Sequence, residues 1–241
     1  MQWPPKFELP KLPDLHHIGG DGLADWERIP PEEWTPVQQR AADTHGVDTP
    51  GNRETLKGIV GTGIGLGAIA FGYTALGLAG VTYGRWRDMR DGKRADETQT
   101  KSPLGEAFDA TTDNALLAAA MPILEAKGML SLTDIAMLGG VVALKFVGAG
   151  LAKVRGVKIH PPRIAKLGMF GQWSGVTLRI GAQAFKEGHL DALAEGTRIL
   201  SDATLYAGIG AAGMAGAIYA GRSVRRKRKG DDEATAVAEQ E

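Results

Sequence analysis

Four aspartates stand in two pairs whose spacing suits the binding of metal ions. Asp88 and Asp91 are three residues apart, and Asp109 and Asp113 are four apart, so each pair shares one face of a helix. The short connection between the pairs can fold two helix ends side by side. Four carboxylates at close range repel one another strongly unless cations are present. The pattern therefore predicts a cluster of carboxylates that holds cations.

Divalent cations and phosphate groups are the natural ligands of such a cluster. Mg²⁺ prefers carboxylate oxygens together with phosphate oxygens, and two such ions clamp a diphosphate and neutralise its leaving group. Gly92 follows the first pair and lets a substrate approach the backbone there. These residues indicate metal-dependent phosphate chemistry at a membrane surface. The alternative is a solvated loop whose aspartates pair with the basic residues Arg85, Arg87, Arg90 and Lys93.

The composition restricts the other classes of function. The 241 residues are enough for one domain, and they include no cysteine, which excludes disulfides, thiolate zinc sites and cysteine nucleophiles. The formal net charge is zero, and no nucleic-acid partner is expected. The histidines form no pattern of a metal site or a nucleophilic triad. The 34 glycines lie mainly in apolar segments, where small residues allow close helix packing in a bilayer.

Long apolar segments predict an all-α, polytopic membrane protein with about six transmembrane helices of about 20 residues each. Residues 56–83 are divided into two helices near Gly72, the second of which extends to about Ala95. One long tilted helix is the alternative. The other segments are 104–126, 132–152, 168–185 and 199–221.

The charges of the loops predict an orientation in the membrane. Basic residues concentrate in the connections on one side, within 85–101, 153–166 and 222–229, whereas the opposite side holds Lys127 and Lys186. The positive-inside rule then places both termini and the aspartates in the cytoplasm, with the protein in the cell (plasma) membrane.

Three regions are expected along the chain. Residues 1–50 form a proline-rich arm at the cytoplasmic interface, with no cleavable signal pattern. A short amphipathic helix that starts at Pro31–Trp34 or a disordered arm both fit this stretch. Residues 51–224 form the transmembrane domain, and residues 225–241 form a charged, disordered tail.

The aspartate segment resembles the signature of the CDP-alcohol phosphatidyltransferases, D-x-x-D-G-x-x-A-R, eight residues, then G-x-x-x-D-x-x-x-D. The entry to the first apolar helix, at Thr49-Pro50, is also similar to that family, and residues 162–172 resemble an element of its phosphatidylglycerophosphate-synthase-like branch. The phosphatidylinositol-phosphate-synthase-like branch is the other similar one. The signature residues present here are Asp88, Asp91, Gly92, Ala95, Gly105, Asp109 and Asp113.

This resemblance implies an enzyme that moves a phosphatidyl-type group from CDP-diacylglycerol to an alcohol and releases CMP. It implies that Asp88, Asp91 and Asp109 bind Mg²⁺ or Mn²⁺. Asp113 would be the general base, near or also on the metal. The family also leads us to expect a homodimer. The residues expected to bind the CDP-lipid are Gly92, Ala95 and Gly105.

The acceptor is expected to carry a phosphate, as in glycerol 3-phosphate or inositol phosphate. A basic stretch follows the fourth apolar segment and can hold such a group, although positive loops also set topology or meet anionic lipids. A non-phosphorylated alcohol and a catalytically silent membrane scaffold are the alternatives. Asp96, in place of the signature arginine, motivates the second of these. The basic residues are Arg155, Lys158, Arg163 and Lys166.

Two further features of the apolar segments have structural interpretations. The glycine repeat from Gly61 to Gly67 imitates a dinucleotide fingerprint, but no strand precedes it. Packing of small residues through Gly61 and Gly65, or through Gly63 and Gly67, is favoured. Lys145 and Arg179 lie inside expected spans and either pair with a neighbouring helix or reach water.

Overall fold

Seven α-helices are present in the part of the chain that the structure describes. This structure is a computed structural model covering residues 23–154 and 163–238, and these residues contain no β-strand. The all-α class is therefore confirmed. The helices are α1 (Pro36–Asp43), α2 (Pro50–Ala70), α3 (Thr74–Glu97), α4 (Pro103–Ala126), α5 (Leu132–Val154), α6 (Arg163–Glu187) and α7 (Asp191–Ala238).

The six helices expected from the apolar segments correspond to α2–α7. The bounds of α3, α4 and α5 follow the expected ones closely, whereas α2, α6 and α7 begin earlier than predicted and α7 ends later. In residues 23–154 and 163–238, no helix is both long enough and apolar enough to cross a membrane.

Hydroxyl caps start the helices that border the aspartates. The Thr49 hydroxyl accepts a hydrogen bond from the Asn52 N–H at 3.1 Å. The Ser102 hydroxyl accepts one from the Gly105 N–H at 3.0 Å. A proline follows each capping residue, at a position where the missing N–H costs nothing. These caps determine where α2 and α4 begin.

The apolar segment 56–83 forms two helices. Residues 71–73 separate α2 from α3, and Gly72 has a φ of +90°, which glycine adopts without strain. The chain reverses there, and α3 packs back along α2. The predicted break near Gly72 is confirmed, and the alternative of one long tilted helix is wrong.

Small residues let α2 and α3 approach closely. A Cβ atom added at Gly65 would lie 2.6 Å from the Val81 nitrogen, and one at Gly61 would lie 3.3 Å from the backbone of α3. A Cβ atom at Gly63 or Gly67 would meet no atom within 4 Å. Of the two glycine pairs considered, Gly61 and Gly65 are the ones that pack on α3.

Replacing Gly65 by alanine should therefore destabilise the fold. The added methyl group would overlap the backbone of α3, and such overpacking costs about 1–3 kcal/mol. Gly63→Ala is the matched control on the same helix, and we expect it to be neutral or to add up to about 1 kcal/mol of helix propensity. Thermal unfolding of the two variants measures the difference. Equal midpoints would show that α2 and α3 are not in close contact.

The remaining helices pack around a shared apolar core. α4 and α5 reverse direction at Gly128, which has a φ of +67°. α6 lies close to α7, since a Cβ atom at Gly175 would be 2.6 Å from the Leu205 Cβ. The fully buried side chains of the core are Ile69, Val81, Leu117, Ala120, Leu124, Leu138, Val176, Ile180 and Leu205.

α3 runs antiparallel to α6. At the start of α3, the Thr74 hydroxyl donates a hydrogen bond to the Glu187 carboxylate at 2.8 Å. Farther along α3, the Arg85 guanidinium lies 4.3 Å from the centroid of the Trp173 ring. The first turns of α6 therefore lie toward the end of α3 that carries the first aspartate pair.

The described part of the N-terminal arm is built from short helices. Two 3-10 helices, Asp25–Arg28 and Pro31–Glu33, precede α1, and Trp26 is buried against Ala41. The α-helix begins later than predicted because Thr35 supplies its N-cap. A helical turn at Pro31 is thus confirmed, but as a separate 3-10 helix. Residues 1–22 lie outside the described residues.

The last helix is longer than its sequence predicts. α7 continues to Ala238, whereas the charged sequence predicts a disordered tail over residues 225–241. Arginine, lysine, glutamate and alanine dominate this stretch, which has no proline, and these residues favour helix. The structure corrects the tail prediction for residues 225–238.

Candidate metal centre

The loop between α3 and α4 brings two helix ends together. Residues 98–102 connect the helices, and Gln99 turns the chain with a φ of +50°. Asp25 of the arm holds the loop in two ways. Its N–H donates to the Lys101 carbonyl at 2.9 Å, and its carboxylate accepts from the Lys101 N–H at 3.1 Å. The two aspartate pairs consequently meet at one end of the bundle.

Three of the four aspartates converge. Carboxylate oxygens of Asp88, Asp91 and Asp109 all lie within 4.8 Å of one another, and the three residues are half-buried. Oxygens that bind one ion at about 2.1–2.5 Å are at most about 4–5 Å apart. The predicted convergence is confirmed for these three side chains, at a spacing that one cation can bridge.

The hydrogen bonds of the cluster leave room for a cation. The Thr55 hydroxyl donates to Asp91 at 2.7 Å, and the Gly92 N–H also donates to it. The Oδ1 atom of Asp109 is buried and has no hydrogen-bond partner among the described residues. A buried carboxylate oxygen without a partner is costly, and a bound cation would satisfy it. A donor set of carboxylates alone fits a hard ion such as Mg²⁺ or Mn²⁺.

Burial and repulsion raise the pKa of Asp88 and Asp91. Burial is the main cause that raises the pKa of Asp88 to about 7; the charge of Asp113 adds to the increase, and Arg85 opposes it. Burial also raises the pKa of Asp91, against the hydrogen bond from Thr55. Without a cation, the cluster therefore retains protons at a pH where exposed aspartates have lost them.

When a chelator keeps the site free of metal, the stability of the protein should fall as the pH rises. The pKa of Asp88 is 3.8 when unperturbed and about 7 in the fold. Between these values the folded state binds more protons than the unfolded state, so stability decreases with increasing pH. We expect a lower unfolding midpoint at about pH 8 than at about pH 5 in chelator, and recovery with Mn²⁺ mainly at the higher pH. A midpoint that rises steadily with pH in chelator would contradict this.

Asp113 lies beside the cluster in an ion pair. Its buried carboxylate contacts the Arg85 guanidinium, which also lies 3.3 Å from the Asp88 carboxylate. Lys145 of α5 is half-buried and close enough for its charge to interact with that of Asp113. The structure thus places Asp113 next to the other three aspartates and pairs it with Arg85.

The neighbouring basic residues have other contacts. Arg87 pairs with Glu54 of α2 at 2.6 Å, Arg90 stacks on a tryptophan of its own helix, and Lys93 lies 3.8 Å from a glutamate of α3. Of the four basic residues in the solvated-loop alternative, Arg85 is the one with an ion pair to the clustered aspartates in the described part of the chain. The solvated-loop alternative, in which basic side chains neutralise the aspartates, therefore does not account for the cluster.

The residues expected to bind the CDP-lipid differ in their surroundings. A Cβ atom at Gly92 would meet no atom within 4 Å, so the backbone beside the carboxylates is open. Ala95 packs on α2, since a Cβ atom at Gly51 would lie 3.2 Å from its Cβ. A Cβ atom at Gly105 would lie 3.0 Å from Oδ1 of Asn52, also on α2. Of the three, Gly92 borders the open side of the cluster.

Asp96, which replaces the signature arginine, is exposed and lies 2.5 Å from the Lys101 ammonium. Its carboxylate contributes no oxygen to the converging cluster of Asp88, Asp91 and Asp109. Its negative charge is therefore balanced locally in the loop between α3 and α4.

The structure describes some of the residues that are expected to bind the phosphate of the acceptor. Arg155 and Lys158 lie outside the described residues, and Arg163 is the first residue of α6. Lys166 is exposed in the first turns of α6. Because α6 is antiparallel to α3, Lys166 lies toward the aspartate end of the bundle. The phosphate-binding role of these residues stays a prediction.

Three residues that shape the cluster were not predicted as part of a metal site, although the solvated-loop alternative named Arg85 as an ion-pair partner of the aspartates. Arg85 has a local signal, since it precedes Asp88 by three residues and shares its helix face. Thr55 of α2 and Trp173 of α6 reach this end of the bundle through tertiary packing. No sequence pattern near the aspartates could have indicated them.

Comparisons with known proteins give no match, whether against family models, curated proteins or solved structures.

Proposed function

We propose that the chain transfers a phosphatidyl-type group from CDP-diacylglycerol to an alcohol and releases CMP. The observation that carries the proposal is the convergence of Asp88, Asp91 and Asp109 at the spacing of the CDP-alcohol phosphatidyltransferase signature. Carboxylates gathered in this way suit metal-assisted chemistry on a diphosphate. The similar branches of that family are the phosphatidylglycerophosphate-synthase-like and phosphatidylinositol-phosphate-synthase-like ones.

We further propose that α2–α7 form a domain in the plasma membrane, with the aspartates at its cytoplasmic edge and a homodimer as the assembly. Exposed apolar surface of this extent favours contact with lipid or with another chain. The basic residues at the aspartate end support the cytoplasmic placement of both termini. Large apolar side chains exposed on these helices include Leu56, Val60, Ile64, Phe71, Leu76, Phe146, Val147, Phe170 and Ile199.

A divalent cation held by the three aspartates would supply positive charge for the diphosphate of the CDP-lipid and for the departing CMP. Asp88 and Asp91 of α3 and Asp109 of α4 would hold it. The hydrogen bond from Thr55 orients Asp91 for that role. Gly92 leaves space beside the carboxylates where the nucleotide diphosphate can approach the backbone.

Asp113 is the proposed base. The acceptor hydroxyl gives its proton to Asp113 while its oxygen forms a bond to the lipid-side phosphorus. The bond from that phosphorus to the oxygen shared with CMP breaks, and its electron pair leaves with CMP. The Asp113 carboxylate contacts the Arg85 guanidinium, and a carboxylate within reach of the acceptor hydroxyl can take its proton.

A phosphorylated alcohol is the proposed acceptor. Lys166 lies on the side of the bundle that carries the aspartates, and Arg155, Lys158 and Arg163 precede it in the sequence. Cationic side chains bind phosphate through charge-assisted hydrogen bonds. Glycerol 3-phosphate and inositol phosphate both have the required hydroxyl and phosphate groups.

Release of CMP tests the proposal. Purified protein would be incubated with CDP-diacylglycerol, Mg²⁺ or Mn²⁺, and one acceptor at a time: glycerol 3-phosphate, inositol phosphate, glycerol or inositol. We expect CMP with a phosphorylated acceptor, and none after chelation or in a folded Asp113→Asn variant. CMP with non-phosphorylated alcohols alone would keep the enzyme class and change the acceptor. No CMP with any alcohol, together with no metal binding, would indicate a silent membrane scaffold.

A further inference from the structure

Arg85 is a cation built into the acidic cluster. Its guanidinium contacts Asp113, lies 3.3 Å from Asp88 and stacks 4.3 Å from the centroid of the Trp173 ring. The side chain is only 12% exposed. The combination of two carboxylate contacts, a cation–π contact and burial makes Arg85 a positioned part of the cluster.

We propose that Arg85 takes the place of a second metal ion, so that the chain binds one divalent cation when substrate is absent. The inference rests on the proposed metal site. It replaces the two-ion arrangement that four aspartates predict when the sequence is considered alone.

One divalent cation nearly balances the charges of the cluster. Four carboxylates lie together, and the Arg85 guanidinium contacts two of them, which leaves three negative charges. One Mg²⁺ or Mn²⁺ reduces these three charges to one. A second ion would give a half-buried site an excess of positive charge, which is unfavourable where the dielectric constant is low. Arginine does not lose its proton to relieve the excess.

The geometry also separates Asp113 from the three proposed metal ligands. The three oxygens that lie within 4.8 Å of one another belong to Asp88, Asp91 and Asp109. The Asp113 carboxylate is engaged by Arg85 instead. The aromatic face of Trp173 holds the guanidinium in place through a cation–π contact. Arg85 is therefore a positioning residue that keeps Asp113 out of metal coordination.

Counting bound Mn²⁺ tests this inference. Protein free of nucleotide and lipid substrate would be titrated with Mn²⁺, and free Mn²⁺ would be followed by electron paramagnetic resonance. We expect one ion per chain in the wild type and two in Arg85→Gln. Arg53→Gln is the control, because Arg53 pairs with Asp48 at 2.6 Å on the surface, and it should keep one ion. Two ions in the wild type, or one in a folded Arg85→Gln variant, would overturn the inference.

A second variant tests the inference without altering Arg85. Asp113→Asn should still bind one ion, with an affinity within about tenfold of the wild type, whereas the loss of a true ligand would weaken binding by more than about 100-fold, beyond the effect of losing an outer-shell partner. Such a weakening would overturn the inference. A wild-type protein that binds no Mn²⁺ would instead defeat the proposed metal site itself, so the two failures are distinguishable.

Discussion

Asp109→Asn should abolish transfer and at the same time make the metal-free protein more stable. The amide replaces one of three carboxylate ligands, so we expect metal affinity to fall at least about 100-fold and CMP release about 1000-fold. In the metal-free state burial and the charges of the neighbouring aspartates raise the pKa of Asp109 to about 8, so folding at neutral pH must keep this carboxyl protonated, and the amide removes that cost. We expect the free energy of unfolding in chelator to rise by about 1–2 kcal/mol.

The control for Asp109→Asn is Asp96→Asn. Asp96 lies in the same acidic segment, but it is exposed and pairs with Lys101. The metal affinity of the Asp96→Asn protein should remain within about twofold of the wild type, because surface ion pairs contribute little to stability or to a neighbouring site. Calorimetric titration with Mn²⁺ and thermal unfolding in chelator measure the two effects. An Asp109→Asn protein that binds Mn²⁺ normally and loses stability would show a structural role instead of a ligand.

Asp134→Ala should produce the largest loss of stability. Asp134 lies at the end of the helix bundle opposite the aspartate cluster. Asp134 is 2% exposed and accepts hydrogen bonds from the Ser131 N–H and hydroxyl, both at 2.8 Å. It also accepts one from the Tyr206 hydroxyl at 2.8 Å, which ties α5 to α7. A lost cap costs about 1 kcal/mol, and each lost bond to a charged group costs about 1.5–3 kcal/mol. We expect a loss of about 3–4 kcal/mol, and a midpoint about 10 °C lower.

Two variants separate the contributions at Asp134. Tyr206→Phe removes the link to α7 alone and should cost about 1.5–2 kcal/mol. Asp191→Ala changes an exposed aspartate in the first turn of α7 and should cost less than about 1 kcal/mol. Asp134→Ala should keep normal Mn²⁺ binding at low temperature. An Asp134→Ala midpoint equal to that of Asp191→Ala would contradict the network.

The helices were predictable because their limits are marked locally. Ser102 and the proline after it start α4, and Gly72 separates α2 from α3, as expected from their intrinsic preferences. The C-terminal part of α7 was missed for an equally local reason. Its charged, alanine-containing sequence is compatible with both disorder and helix, and composition does not distinguish them.

The register between helices was not predictable. Alternate glycines of α2 carry the same local signal, yet Gly65 packs on α3 and Gly63 faces open space, because the rotation of α2 is set by its neighbours. The sequence left open whether Arg179 pairs or reaches water. In the fold it contacts Asp202 of α7 and donates to Ser201 at 3.1 Å, an arrangement that depends on how α6 lies along α7.

The same distinction applies to the candidate site. The spacing of Asp88, Asp91 and Asp109 was sufficient to predict their convergence, because helix geometry and one short loop determine it. The surroundings of Asp113 were not predictable in this way. Its partner Arg85 is held by Trp173, a residue of α6 that is distant in the sequence.

The position of a bound ion tests the central claim most directly. Anomalous scattering from crystals grown with Mn²⁺ would locate the metal without reference to activity. We predict a peak at about 2.0–2.3 Å from carboxylate oxygens of Asp88, Asp91 and Asp109. No peak at saturating Mn²⁺, or a peak remote from these three side chains, would contradict the account.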